Sequence, residues 1–158
     1  MPEFLQPGTT APLDIALTDQ HGEATSLRHY LGKPIILFIY PKDNTPTCTK
    51  EACSLRDGYQ DLKAAGYEVL GLSPDGEKSH QKFIAKFDLP FTLLSDPEHE
   101  LIEALGAWGE KQMYGKKYMG VFRTTFVLDS EGVITHVVEK VKSKEHSEQL
   151  LSLLGAAV

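Results

Sequence analysis

The run Ile35-Ile36-Leu37-Phe38-Ile39-Tyr40, apolar and rich in β-branched and aromatic side chains, stops at Pro41. After Lys42-Asp43-Asn44 comes Thr45-Pro46-Thr47-Cys48. Such a run ended by a proline predicts a buried strand, and the Thr-Pro step predicts a turn into a helix. With Thr45 as N-cap, Pro46 takes the first helical position, where its missing N–H costs nothing, and Cys48 falls in the first turn.

That placement matters for the sulfur. Backbone N–H groups in a first helical turn have no intrahelical partners. Together with the positive end of the helix dipole they favour a thiolate, the form in which a cysteine is nucleophilic. Cys48 is therefore the better candidate for a reactive sulfur, and Cys53 is the only other cysteine in the chain. In an ideal helix, residues five apart have Cα atoms about 8 to 9 Å from each other. A disulfide needs roughly 4.4 to 6.8 Å. If both residues are helical when reduced, a bond between them requires the first turns to unwind. Ser54 is an indifferent helix former, and Gly58 costs about 1 kcal/mol relative to alanine, so the local sequence eases that opening. Two cysteines also suit small buried apolar positions, and a helix-entry Thr-Pro is common. From the spacing alone, the redox and packing readings both stand.

Composition narrows the field. A chain of 158 residues with 41% hydrophobic and 24% charged residues fits one domain, residues 1–158, able to bury a core without staples. The formal charge of −6 offers no source of phosphate neutralisation or polybasic anchoring, which argues against nucleic-acid and anionic-membrane partners. Lys116-Lys117 is too short a cluster to reverse this. No apolar stretch approaches the roughly 20 residues of a membrane span, and Met1-Pro2-Glu3-Phe4-Leu5 lacks the pattern of a signal peptide. The expected location is cytoplasmic, where a cysteine pair is more often catalytic than structural. The six histidines are scattered, with no His-x3-His or Cys-x2-Cys spacing, so no metal is expected. Phosphate-binding, dinucleotide and serine-hydrolase signatures are missing too, and no cofactor is expected.

Strand-like and helix-like segments alternate along the chain. Residues 67–73 read as a second buried strand, 77–87 as a helix, 91–95 as a strand and 97–105 as a short helix. The stretch 106–122 is Gly-rich and aromatic. Thr124 to Leu128 and Val133 to Val138 flank Asp129-Ser130-Glu131-Gly132, a hairpin signal, and an amphipathic helix over about 143–154 carries Leu150, Leu151 and Leu154. Alternation closed by a hairpin and a helix predicts an α/β sandwich with a mixed central sheet.

Pro41-Lys42-Asp43-Asn44-Thr45-Pro46-Thr47-Cys48 matches the P-x-x-x-T/S-x-x-C signature of peroxiredoxins. Cys48-Thr49-Lys50-Glu51-Ala52-Cys53 resembles the C-x4-C arrangement of the peroxiredoxin Q, or bacterioferritin comigratory protein, branch. Leu17-Thr18-Asp19-Gln20-His21-Gly22 resembles the family's N-terminal hairpin, Gly71 to Asp75 its second core strand, and Trp108-Gly109-Glu110-Lys111 a segment typical of the branch. Arg123-Thr124-Thr125-Phe126-Val127-Leu128-Asp129 matches the region of the family's active-site arginine. The resemblance runs from about Leu13 to Leu154. It implies a thioredoxin-like fold with an N-terminal hairpin added.

The resemblance also implies a reaction and a cast. The Cys48 thiolate attacks the terminal oxygen of hydrogen peroxide or an organic hydroperoxide and becomes a sulfenic acid. Cys53 resolves it to an intramolecular disulfide. Thioredoxin, or glutaredoxin in some settings, recycles the pair. By the same resemblance Thr45 and Arg123 contact the peroxide, Pro41 shields the sulfur, and the chain works as a monomer. Plainer roles compete with these. Thr45 also suits a simple helix cap, Pro41 a strand terminator and Arg123 a solvated position before a strand. Glu51 reads as a first-turn carboxylate that favours the helix dipole, and Tyr40 and Trp108 read as packing residues. A redox sensor, a noncatalytic thioredoxin-like module or a general dithiol oxidoreductase would use the same frame, the last weakened by the missing C-x-x-C.

Overall fold

The computed structural model describes residues 3–155. The buried run forms β3 (Ile35–Ile39), the hub of a seven-stranded sheet. In chain order the strands are β1 (Leu17–Thr18), β2 (Ala24–Thr25), β3, β4 (Glu68–Ser73), β5 (Thr92–Ser95), β6 (Trp108–Met113), β7 (Lys116–Val121), β8 (Thr124–Leu128) and β9 (Ile134–Val138). The helices are α1 (Pro46–Asp57), α2 (Tyr59–Ala64), α3 (Glu77–Phe87), α4 (Glu100–Ala104) and α5 (His146–Leu153). The sheet order is β2-β1-β5-β4-β3-β8-β9. β3 pairs parallel with β4 and antiparallel with β8, so the sheet is mixed as predicted.

All five residues of β3 are buried because both faces of the sheet are covered. Strand alternation sends Ile35, Leu37 and Ile39 to one face, where they pack with Leu101 and Ile102 of α4, Leu105 and Phe126. Ile36, Phe38 and Tyr40 point to the other, against Cys48, Ala52 and Leu55 of α1, Leu62 of α2, Phe83 of α3 and Leu150 of α5. Cys48 is thus set on the α1–α3–α5 face, at the C-terminal end of β3.

Three details depart from the sequence expectations. The stretch 106–122 contains a separate two-stranded sheet, β6 paired with β7. Its turn, Tyr114-Gly115, has positive φ at both residues (53° and 78°), the geometry of a tight two-residue hairpin. Most of its side chains face solvent, Tyr114 at 97% exposure, so no apolar alternation marks it in the sequence. Gly58 is less a weak point inside a helix than the joint between α1 and α2. A Cβ there would collide with Ser147 at the start of α5, so the close approach of α5 to α1 requires glycine. The terminal helix begins with a short 3-10 turn, Ser143–Glu145, before α5. Among the described residues, no helix is long and apolar enough to cross a membrane.

Candidate active site

Thr45 is the N-cap of α1 and Pro46 its first residue, so Cys48 lies in the first turn as the sequence predicts. The Thr45 side chain does not cap the helix. Its hydroxyl turns back and donates to the carbonyl of Lys42, 2.9 Å away, closing the loop that leaves β3. With its hydrogen so committed, Thr45 Oγ1 presents lone pairs to anything that enters beside it. Pro41, half-buried, ends β3 at the start of this loop.

Cys48 is buried at 2% exposure, and Arg123 Nη2 donates to its sulfur at 3.1 Å. Arg123 sits between β7 and β8, so the small hairpin and the main sheet together place it. Its Nη1 donates to Glu51 Oε1 at 2.6 Å. One guanidinium therefore spans the sulfur and a carboxylate. Burial opposes the cation, but Glu51 and Cys48 outweigh burial and raise the Arg123 pKa. Cys53 lies further along the same unbroken helix, half-buried, and both cysteines are free thiols.

Glu51 is not the first-turn dipole carboxylate that the sequence suggested. It stands in the second turn, fully buried. Three residues after Cys48 it shares a helix face with the sulfur, and that spacing beside a buried cysteine is the signal that marks it in the sequence. Burial pushes its pKa up to about 7, against the opposing pull of Arg123. Among the described residues, its second oxygen, Oε2, has no hydrogen-bond partner. His146 Nε2, at the start of α5, approaches it at 3.6 Å.

That histidine's hydrogens are accounted for. The Gln149 amide donates to the Lys140 carbonyl and its oxygen accepts from the backbone N–H of Lys142, which fixes the amide's orientation. Gln149 Oε1 must then accept from His146 Nδ1–H at 2.9 Å. His146 Nε2 is left as an acceptor and takes the Thr125 hydroxyl hydrogen at 2.8 Å. It has no hydrogen to give Glu51. Burial lowers the His146 pKa to about 4; the Gln149 bond opposes that fall and Arg123 adds to it. The histidine is neutral, and the short approach to Glu51 is not an ion pair.

Lys111 on β6 is a second cation that the sequence reading did not single out. Its ammonium donates to the Val121 carbonyl at 2.8 Å, two residues before Arg123. Burial lowers its pKa, Arg123 adds to the fall, and Cys48 opposes it. On the other side of the loop, Tyr40 is more than a packing residue, because its hydroxyl donates to Asp43 at 2.6 Å. Among the described residues, no group of three or more His, Cys, Asp or Glu side chains is arranged to hold a metal ion.

Residues 7–137 match the model of the AhpC/TSA family. The chain is 45% identical over 147 residues to peroxiredoxin Bcp of Bacillus subtilis, covering 93% of each. To peroxiredoxin Bcp of Escherichia coli it is 42% identical over 150 residues, covering 95% of this chain and 96% of the relative. A solved structure of the bacterioferritin comigratory protein of Xanthomonas campestris, described for its alkyl peroxide reduction activity, superposes with a TM-score of 0.86 at 35% identity. That match covers 95% of this chain and 98% of the other.

Proposed function

The chain belongs to the AhpC/TSA family, in its Bcp/PrxQ peroxiredoxin branch, and is a thiol-dependent peroxidase; from that premise we propose that Cys48 is the sulfur that meets the peroxide and Cys53 the one that resolves it. The observation that carries this reading is the Arg123 bond to the buried Cys48 sulfur at the start of a helix.

In the proposed first step the Cys48 thiolate attacks the terminal oxygen of a hydroperoxide. An S–O bond forms, the O–O bond breaks, and the departing alkoxide or hydroxide takes a proton to leave as alcohol or water. Negative charge moves from sulfur onto the departing oxygen. A donor beside both atoms stabilises the transition state more than the ground state, and Arg123 is placed to follow the charge. Thr45, its hydrogen already donated to Lys42, accepts the hydrogen of the peroxide's terminal O–H and so presents that oxygen to the sulfur. Pro41 walls the loop. Small alkyl hydroperoxides are substrates together with hydrogen peroxide, in keeping with the activity described for the Xanthomonas relative.

In the second step the Cys53 thiol condenses with the Cys48 sulfenic acid, releasing water. Both residues lie inside α1, so the helix unwinds before the sulfurs meet. Opening also presents the disulfide to a dithiol reductant of the thioredoxin type, which returns both thiols. The cycle needs one chain only, so a monomer suffices, and a cytoplasmic setting supplies the reductant.

The test follows thioredoxin-linked peroxide consumption in wild type, Cys48→Ser and Cys53→Ser, with mass analysis of the unreduced proteins. Cys48→Ser is expected to lose turnover entirely. Cys53→Ser is expected to consume about one equivalent of peroxide and then stall. Undiminished turnover in Cys48→Ser sinks the nucleophile assignment, and unchanged cycling in Cys53→Ser removes it as the resolving residue.

A further inference from the structure

The loop between β3 and α1 is held by a cluster that the peroxidase chemistry does not use. Asp43, its side chain 2% exposed, accepts from Tyr40 Oη (2.6 Å) on Oδ1, and from Ser79 Oγ (2.8 Å) on Oδ2. Oδ2 also meets Nδ1 of the fully buried His80 at 2.7 Å. The Asp43 backbone N–H donates to Asp75 Oδ2 at 2.7 Å, and Ser73 donates to the same oxygen. His80 Nε2 lies 3.1 Å from the Leu94 carbonyl. A carbonyl only accepts, so Nε2 carries a hydrogen, and the 2.7 Å contact to Asp43 holds a second one.

Tyr40 directly follows β3, Ser73 ends β4, Ser79 and His80 belong to α3, and Leu94 to β5. No partner of this cluster belongs to α1. A buried polar cluster is seldom worth more to stability than well-packed apolar groups; what it adds is direction. Here the direction is given to a loop whose next residue, Asn44, is left-handed (φ 59°) and whose following residue is Thr45.

We propose that Asp43 and His80 are positioning residues for the peroxidase reaction. They anchor the Pro41–Thr45 loop to β4, β5 and α3, so that Thr45 and the start of α1 keep one place relative to Arg123, and the loop stays fixed while α1 opens and closes. The inference rests on the peroxide-facing role proposed above for Thr45.

Two substitutions separate positioning from plain structural support. In His80→Asn the amide nitrogen stands where Nδ1 stood and still donates to Asp43. In His80→Gln it stands where Nε2 stood, keeps the Leu94 contact and leaves Asp43 without its donor. Both lose one buried hydrogen bond. The readouts are the second-order rate of Cys48 oxidation by hydrogen peroxide in the Cys53→Ser background, and the urea melt of each variant. His80→Asn is expected to react within about twofold of its parent. His80→Gln is expected to be about tenfold slower at similar stability, within the 10²-fold that a ~1 Å misplacement costs. Equal rates in the two variants, or rates that simply follow their stabilities, overturn the proposal. If either fails to fold, Ser79→Ala removes one donor from Asp43 and is expected to slow oxidation about threefold; an unaltered rate overturns the proposal. Cys48→Ser with Cys53 retained, run alongside, separates the cases: rapid thiol oxidation surviving there defeats the site assignment, whereas insensitivity to His80 and Ser79 defeats only the anchor.

Discussion

Two buried histidine–carboxylate pairs, one in the loop before Cys48 and one on its helix, are built from the same kinds of group and opposite in condition. Asp43 and His80 meet at 2.7 Å, with a partner for each side-chain polar atom of the two. Glu51 and His146 stand 3.6 Å apart, with one carboxylate oxygen unpartnered and the histidine neutral. A fully satisfied buried network favours one arrangement strongly, whereas a partly satisfied one lies closer in energy to its alternatives. The satisfied pair holds the loop before α1. The unsatisfied pair includes a residue of α1 itself, the helix that opens in the proposed cycle. The difference teaches where the hydrogen bonding is complete and where it is not: the loop before α1 is tied at every polar atom of its pair, and the helix carrying both sulfurs holds a carboxylate that is not.

Removing each carboxylate should break the symmetry in the expected direction. Asp43→Ala strands His80 and Tyr40 in the core and is expected to cost about 3–5 kcal/mol in a urea melt, the range for breaking a buried pair. Glu51→Gln keeps the shape, gives Arg123 an amide oxygen and removes a charge whose burial is already disfavoured. It should cost far less at pH 8. Equal losses for the two variants would show that the two pairs do the same work.

The sequence shows one side of this comparison far better than the other. The frame was legible because β3, β4 and β5 are apolar runs ended by proline, glycine or serine, and α3 has helical spacing that the structure reproduces over Glu77–Phe87. The helix entry at Thr45-Pro46 was legible because the cap and the N1 proline are local signals. The two histidine pairs were not. His80 lies 37 residues from Asp43, and His146 reaches Glu51 from the far end of the chain. Nothing in local propensity joins them. Glu51 was misplaced because a carboxylate near a helix start ordinarily meets solvent and the dipole, and only the approach of Arg123 from beyond β7 makes burial tolerable.

Arg123 tests the labile side at the level of rate. Arg123→Gln deletes the cation shared by sulfur and carboxylate. Loss of one well-placed donor to developing charge typically costs 10²–10³-fold. The second-order rate with hydrogen peroxide should fall by about 10²-fold, measured by stopped flow in the Cys53→Ser background. A fall of less than about threefold would make Arg123 a structural partner of Glu51 and leave the sulfur dependent on the helix terminus alone.

The effect most specific to the unsatisfied pair comes from pH, because its two members pull stability in opposite directions. Glu51 has its pKa raised from 4.5 to about 7 by burial, so between those values the native state holds a proton that the unfolded chain has released. Its contribution is full below about pH 4.5 and is lost as pH rises to about 7. His146 has its pKa lowered from 6.5 to about 4, again chiefly by burial, so the unfolded chain binds a proton that the native state refuses. Its contribution is full above about pH 6.5 and is lost as pH falls to about 4. Between about pH 4.5 and 6.5 the slopes oppose, each at most about 1.4 kcal/mol per pH unit. Glu51→Gln removes the falling slope and leaves the rising one, so its stability relative to wild type should climb with pH through this window and level off above about 7. Urea melts of both proteins at half-unit steps from pH 4.5 to 8 measure the difference directly. Parallel profiles would mean that Glu51 keeps one protonation state throughout, and its orphan oxygen would then belong to a fixed structure like that around Asp43.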